Sequence, residues 1–328
     1  MRTGTERYSY EIIRHLLASP AGVRYSWQLY VAEQTEIRAF QAPDADRKAN
    51  ARVRLLRSTR LWTHRRLGPE MMRRPPDVLF VPAHVLPFTL RRATLPPSVV
   101  TVHDLGYRHF PQAHTRRQRW YLETGTRWSA ANAAAVICVS KATAADLHAF
   151  TGTPWSKIHV IYEAAAPAPA PATPATLAAI RQRLRLKRPF ALYLGTIQPR
   201  KNIRRMLEAY ARLRHARQVE WDFVLAGNPG WLSRPLLDRR EELGLQGSVH
   251  FTGYVSEAER VALLQAARFF CFPSLCEGFG LPILEAQQLG APVMTSNNSS
   301  LPEVAGVAAL LIDPSDVVAL AAAMLRLS

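Results

Sequence analysis

The amino-acid sequence predicts an α/β protein of two doubly wound parallel-sheet domains, and three observations predict it. Short apolar runs alternate with helical patterns along nearly the whole chain, as expected of parallel strands covered by helices. A seam of alternating alanine and proline, from Ala164 to Pro174, divides the chain near its middle. The chain has 328 residues of which 48% are apolar, enough for two domains that each bury a core.

The elements follow in order. A glycine-containing loop opens an amphipathic helix over residues 4–18, with Tyr8, Ile12, Ile13, Leu16 and Leu17 on one face. Strands are predicted over 27–31, 53–56, 78–81, 99–102, 135–139 and 159–162. The Ala-Pro seam stays extended and semi-rigid, so it reads as a linker over 166–180 between domains 1–165 and 181–328. Strands then follow over 190–194, 222–226, 249–252, 269–272, 292–295 and 309–312. Both ends read as incomplete. No strand precedes Gly4, and the last apolar helix, 317–327, has no stop signal. A cleft between two such domains, lined from the carboxyl ends of the strands, is the expected ligand site.

Composition narrows the setting. No run of about 18 apolar residues offers a membrane span, and the N-terminus lacks the apolar stretch of a secretory signal. Cys138, Cys271 and Cys276 lie in or beside apolar runs and read as reduced core thiols of a cytoplasmic protein. Neither they nor His103, His109 and His114 have metal-ligand spacing, so no metal site is expected. The net charge is +17, much of it between Arg47 and Arg74, where Arg52, Arg54, Arg57, Arg60, Arg65, Arg66, Arg73 and Arg74 meet only Glu70. Such a stretch suits an anionic surface. The interleaved Leu55, Leu56, Leu61, Trp62 and Leu67 favour a membrane interface over nucleic acid, for which no fold signature is present. A solvated arginine-rich face is the alternative.

The chemistry concentrates between Ser274 and Ala286. Glu277 and Glu285 flank a Gly278-Phe279-Gly280 turn and Pro282, after an apolar run and before a helical pattern ending at Gly290. Pro282 suits the first helical position and Gly290 the residue past the last, which places Glu285 in the first helical turn. Unpaired N–H groups at a helix start attract phosphate, and glycine lets backbone approach a ligand. A carboxylate nearby takes paired hydroxyls such as those of a ribose. Taken alone, the same pattern also fits a plain turn with an acid complementing the helix dipole.

Glu277 to Glu285, followed by Asn297-Asn298-Ser299-Ser300-Leu301-Pro302-Glu303, closely resembles retaining glycosyltransferases of family four, which have the two-domain GT-B fold. Leu194-Gly195-Thr196-Ile197-Gln198-Pro199-Arg200-Lys201-Asn202 looks like that family's first strand and basic loop in the second domain. Phe251-Thr252-Gly253-Tyr254-Val255 resembles its base-contacting segment. Thr101-Val102-His103-Asp104-Leu105, Val136 to Lys141 and Thr3 to Tyr8 resemble landmarks of the first domain, in the family's order.

The resemblance implies roles. Arg200 and Lys201 would hold the donor diphosphate and stabilise the charge that builds as the glycosidic bond breaks. Glu277 would face the transferred sugar, and Glu285 the ribose. Phe279, Gly280 and Leu281 would offer backbone N–H groups, with Gly195, Thr196 and Val255 beside the donor. His103 and Gly4 would reach the donor from the first domain. Many relatives have arginine where this chain has Thr196. The implied activity is retaining, metal- and cofactor-independent transfer of a hexose, mannose- or rhamnose-like, from a nucleoside-diphosphate sugar. The acceptor would be a saccharide or lipid-linked precursor at the inner membrane face, in envelope polysaccharide or lipopolysaccharide assembly. A sugar-nucleotide-binding protein or an epimerase on the same fold is the alternative.

Overall fold

A computed structural model describes residues 4–33, 50–57, 61–228 and 233–328. The chain forms two compact units. One comprises Met1–Tyr107, His114–Val139 and Thr143–Ile161; the other comprises Tyr162–Ser328 with Arg108–Ala113 and Ser140–Ala142.

In the first unit, helix α1 (Gly4–Ala18) precedes a parallel pair, β1 (Ser26–Val31) and β2 (Asn50–Leu55), in register at Leu29 and Val53. Strands β3 (Leu79–Val81), β4 (Ser98–Val102), β5 (Ala135–Cys138) and β6 (Ile158–Val160) form a separate parallel sheet in that order. Met71, Leu86, Val100, Val136 and Leu147 are fully buried in its core. The last strand stops short of the predicted 159–162, and Ile161 and Tyr162 are exposed beyond it.

The arginine-rich stretch differs from its expected layout, although 47–49 and 58–60 lie outside the described residues. Leu67 is buried, Trp62 packs against the core, and its indole N–H donates to the Leu56 carbonyl at 2.7 Å. Arg54 is drawn to the buried Glu70 at 2.7 Å. Two of the five apolar residues that suggested a membrane face, Trp62 and Leu67, therefore serve the core, whereas Leu55 and Leu56 are half-buried and Leu61 is exposed. Arg52, Arg57, Arg65, Arg66, Arg73 and Arg74 remain exposed beside Leu61 and Met72.

The second unit begins earlier than predicted. The linker was expected to extend to residue 180, but helix α2 (Pro174–Arg183) starts inside it and buries Ile180. Thr173 caps it, its hydroxyl accepting from the Thr176 N–H, and Pro174 supplies the fixed φ of a first turn. Six parallel strands follow: β7 (Phe190–Leu194), β8 (Asp222–Ala226), β9 (Val249–Gly253), β10 (Phe270–Phe272), β11 (Val293–Ser296) and β12 (Ala309–Ile312). β7, β8 and β10 are buried along their whole length, as a sheet covered on both faces requires. Their order is β12-β11-β10-β7-β8-β9. Successive strands are added to one side of β7 and then, from β10, to the other. Such a reversal generally leaves a crevice at the carboxyl ends of the flanking strands, here β7 and β10, where ligands bind. Cys138 and Cys271 are fully buried, and burial pushes the Cys138 thiol up to about 12.

Candidate active site

The crevice is built from backbone first. Gly195, just past β7, has φ +147°, and Gly227, just past β8, has φ +149°. A Cβ on Gly227 would overlap the Gly195 carbonyl, so only glycine allows the two strand ends to approach this closely. Thr196 is exposed on the loop that follows. A 3-10 turn, Pro199–Lys201, and left-handed Asn202 (φ 62°) then lead into helix α3 (Ile203–His215). This turn places Arg200 and Lys201 at the carboxyl end of β7.

The loop after β10 meets them. Leu275 N–H donates to the Arg200 carbonyl at 2.8 Å, and Arg200 Nη1 donates to the Cys276 carbonyl at 3.0 Å. Arg200 Nη1 also donates to Glu277 Oε2 at 2.6 Å, while Lys201 Nζ donates to Glu277 Oε1. Burial alone would raise the Glu277 pKa, but Lys201 and Arg200 outweigh it and hold the carboxyl at about 2. Lys201 Nζ also lies 4.8 Å from the centroid of the Phe272 ring. Serines brace the loop. Glu277 N–H donates to Ser299 Oγ at 3.0 Å, that hydroxyl donates to the Glu277 carbonyl at 2.7 Å, and Ser300 donates to the Phe279 carbonyl at 2.6 Å.

Helix α4 (Leu281–Gln288) starts beyond Gly280, whose φ of 123° only glycine adopts readily. Phe279 is buried. Pro282 is the second helical residue rather than the first, because Leu281 already has helical geometry. Glu285 consequently stands at the start of the second turn, not in the first. Gly290, just past the helix end, has φ +77°. Arg260 Nη1 donates to Glu285 Oε2 at 2.6 Å. Val255 is buried just before helix α5 (Glu257–Ala266), which bears Arg260.

Arg200, Lys201 and Glu277 thus form one cluster, and Glu285 belongs to the same unit. His103 and Gly4 belong to the first unit. His103 Nε2 lies 3.1 Å from the Pro82 carbonyl, which can only accept, so this nitrogen holds a proton. His103 N–H donates to His84 Nε2 at 3.1 Å, and the two rings stack at 5.6 Å. Burial, with a smaller contribution from His103, lowers the His84 pKa to about 4 against the pull of Asp104. Gly4 opens α1 with open space around its Cα, so packing does not require glycine there.

Sequence reasoning missed Arg260, Gly227 and His84. Arg260 stands three residues after Glu257, a helical pairing visible in the sequence but ordinary on any surface helix. Gly227 follows an apolar strand, as many turn glycines do. His84 has no local signal.

Arranged this way, Arg200 and Lys201, both paired with Glu277, lie at the strand ends beside a glycine-opened helix. That geometry can bind a diphosphate and stabilise charge developing on it. Residues 2–168 match the model for Glycosyltransferase Family 4, and residues 178–328 match Glycosyl transferases group 1. O-antigen chain mannosyltransferase B of Escherichia coli is 32% identical over 99% of this chain and 86% of its own length. An MMP alpha-(1->4)-mannosyltransferase of Mycolicibacterium hassiacum is 40% identical over 39% of this chain and 31% of its own. Among solved structures, Anabaena HepE in complex with UDP and glucose has a TM-score of 0.69 at 17% identity, covering 99% of this chain and 87% of that one. WaaG, a glycosyltransferase involved in lipopolysaccharide biosynthesis, has a TM-score of 0.67 at 18% identity, covering 100% and 87%. With the two family models matched in order along the chain and a relative aligned over nearly all of it, the protein belongs to glycosyltransferase family 4 and has the GT-B fold.

Proposed function

We propose that this glycosyltransferase moves a hexose, mannose before rhamnose-like sugars, from a nucleoside-diphosphate donor to a saccharide or lipid-linked acceptor in envelope polysaccharide assembly. The observation that carries the reading is the Arg200–Lys201–Glu277 cluster at the strand reversal. The names of the two mannosyltransferase relatives support the sugar.

Arg200 and Lys201 bind the diphosphate and take up the negative charge that grows on it as the glycosidic bond breaks, in place of a metal. Phe279, Gly280 and Leu281 add backbone N–H groups, and Gly195 and Thr196 bound the phosphates. Glu285 accepts from the ribose hydroxyls and Val255 lies against the base. Glu277 holds sugar hydroxyls and faces the oxocarbenium-like carbon. The acceptor hydroxyl attacks from the face that the diphosphate leaves, passing its proton to a phosphate oxygen, so configuration is retained. His103 reaches toward the sugar or the departing phosphate, giving up its Nε2–H bond to the Pro82 carbonyl to donate there, and Gly4 brings backbone near them. The exposed arginines between Arg52 and Arg74 attract the anionic cytoplasmic face of a membrane, where a lipid-linked acceptor resides.

The test is turnover of GDP-mannose with a mannose-terminated acceptor, alongside UDP-, ADP- and dTDP-sugars. Lys201→Ala and Glu285→Ala should each lower turnover at least about 100-fold in folded protein, the scale of a lost transition-state contact. The coupling constant of the product's anomeric proton reads the stereochemistry. Wild-type rates in both variants refute the site, and an inverted product refutes retention.

A further inference from the structure

Glu285 does not stand alone on its helix. Arg260, from the first turns of α5, donates Nη1 to Glu285 Oε2 at 2.6 Å. Its Nε donates to Glu257 Oε2 at 3.0 Å, and its Nη2 to Glu257 Oε1. The guanidinium therefore grips one carboxylate with two parallel bonds and turns its remaining corner to the other. Bidentate pairing of this kind fixes the plane of the group. The Glu257 side chain is two-thirds exposed, whereas Arg260 and Glu285 are 17% and 15% exposed. The chain of contacts runs from an outer anchor, through a locked guanidinium, to the inner carboxylate. The helix bearing it starts at a capping box between Ser256 and Glu259, directly after Val255, so its first turn is itself held in place.

We propose that Arg260 is a positioning residue for Glu285: it holds the carboxylate in the orientation that accepts the paired hydroxyls of a nucleotide ribose, and thereby sets discrimination for ribose over deoxyribose. This rests on the reading of Glu285 as the ribose carboxylate. A carboxylate on a flexible two-carbon stem loses rotamer freedom when it binds a diol. A partner that removes that freedom beforehand strengthens binding. Lysine cannot replace the function fully, since an ammonium lacks the planar fork that grips Glu257 and Glu285 together.

The experiment measures affinities of GDP and UDP, each against its 2′,3′-dideoxy counterpart, by calorimetry on the full chain. Wild type should prefer the ribonucleotide of its own base at least tenfold. Glu285→Gln should abolish that preference; if it does not, the ribose reading itself is wrong and this inference falls with it. With that control met, Arg260→Leu should cut the preference at least fivefold while leaving dideoxynucleotide affinity within twofold. Arg260→Lys should recover part of the loss, and Glu257→Gln, which leaves Arg260 in place, should show a smaller one. The double variant Arg260→Leu with Glu285→Gln should lose no more than Glu285→Gln alone. An unchanged preference in Arg260→Leu, or equal weakening of both ligands, overturns the proposal and reduces the contact to a tether between two helices.

Discussion

Lys201 and Glu277 stand 76 residues apart in the chain, yet Nζ of one donates to Oε1 of the other, with the Phe272 ring beneath the ammonium. The Lys201 side chain is 10% exposed and that of Glu277 9%. Removing one member of so enclosed a set leaves charge without compensation, which costs more than the pair contributes when intact.

Glu277→Gln should accordingly destabilise the protein by about 3 kcal/mol without ligand. Added pyrophosphate should recover part of that loss, because its charge replaces the missing carboxylate beside Arg200 and Lys201. Thermal melts with and without pyrophosphate check both halves. A variant that melts like wild type would show that the cluster is not closed to water.

Acid should act in two windows. The folded His84 pKa lies near 4, below its ordinary 6.5. The folded state thus binds fewer protons than the unfolded one, and stability falls as pH drops from 6.5 toward 4, at up to about 1.4 kcal/mol per pH unit. Protonation also removes the acceptor for the His103 N–H. The folded Glu277 pKa lies near 2 against an ordinary 4.5, so its stabilisation is complete above 4.5 and disappears between 4.5 and 2. Urea midpoints across pH should decline in the upper window for wild type but not for His84→Gln.

Two glycine substitutions should part ways. Gly227→Ala forces a methyl group onto the Gly195 carbonyl at φ +149° and should cost about 3 kcal/mol or more. Gly4→Ala meets nothing within 4 Å and should change stability by less than about 0.5 kcal/mol. A raised KM in folded Gly4→Ala, measured by donor titration, would reveal a close approach of substrate to that backbone.

The cap at Thr173 gives a smaller, local effect. Thr173→Ala leaves the Thr176 N–H without its acceptor and should lower the stability of the second unit by about 1 kcal/mol. Chemical denaturation is the appropriate measurement.

Legibility in the sequence follows the range of the forces involved. The strands were readable because parallel strands buried on both faces need unbroken apolar runs, as in Phe190–Leu194 and Asp222–Ala226. The glycine turn and both glutamates were readable because their chemistry is local. Helix α2 was hidden by the Ala-Pro pattern before it, although Thr173-Pro174 is itself a helix start. Pairing partners were not readable. Nothing near Glu277 in the chain announces Arg200, and nothing near Glu285 announces Arg260. Such pairs are fixed by strand order and helix packing. The stacking of His84 on His103 depends likewise on chain reversals between β3 and β4.

The Glu277 cluster also bears on how strongly a donor is attracted. Two cations and one resident anion leave a single net positive charge to greet an incoming diphosphate. On the proposed function, the attraction contributed by this cluster itself is correspondingly modest, both for the donor and for the spent nucleoside diphosphate. If the diphosphate binds there as proposed, its affinity should vary gently with ionic strength. The resident carboxylate tempers the charge of the two cations it pairs with.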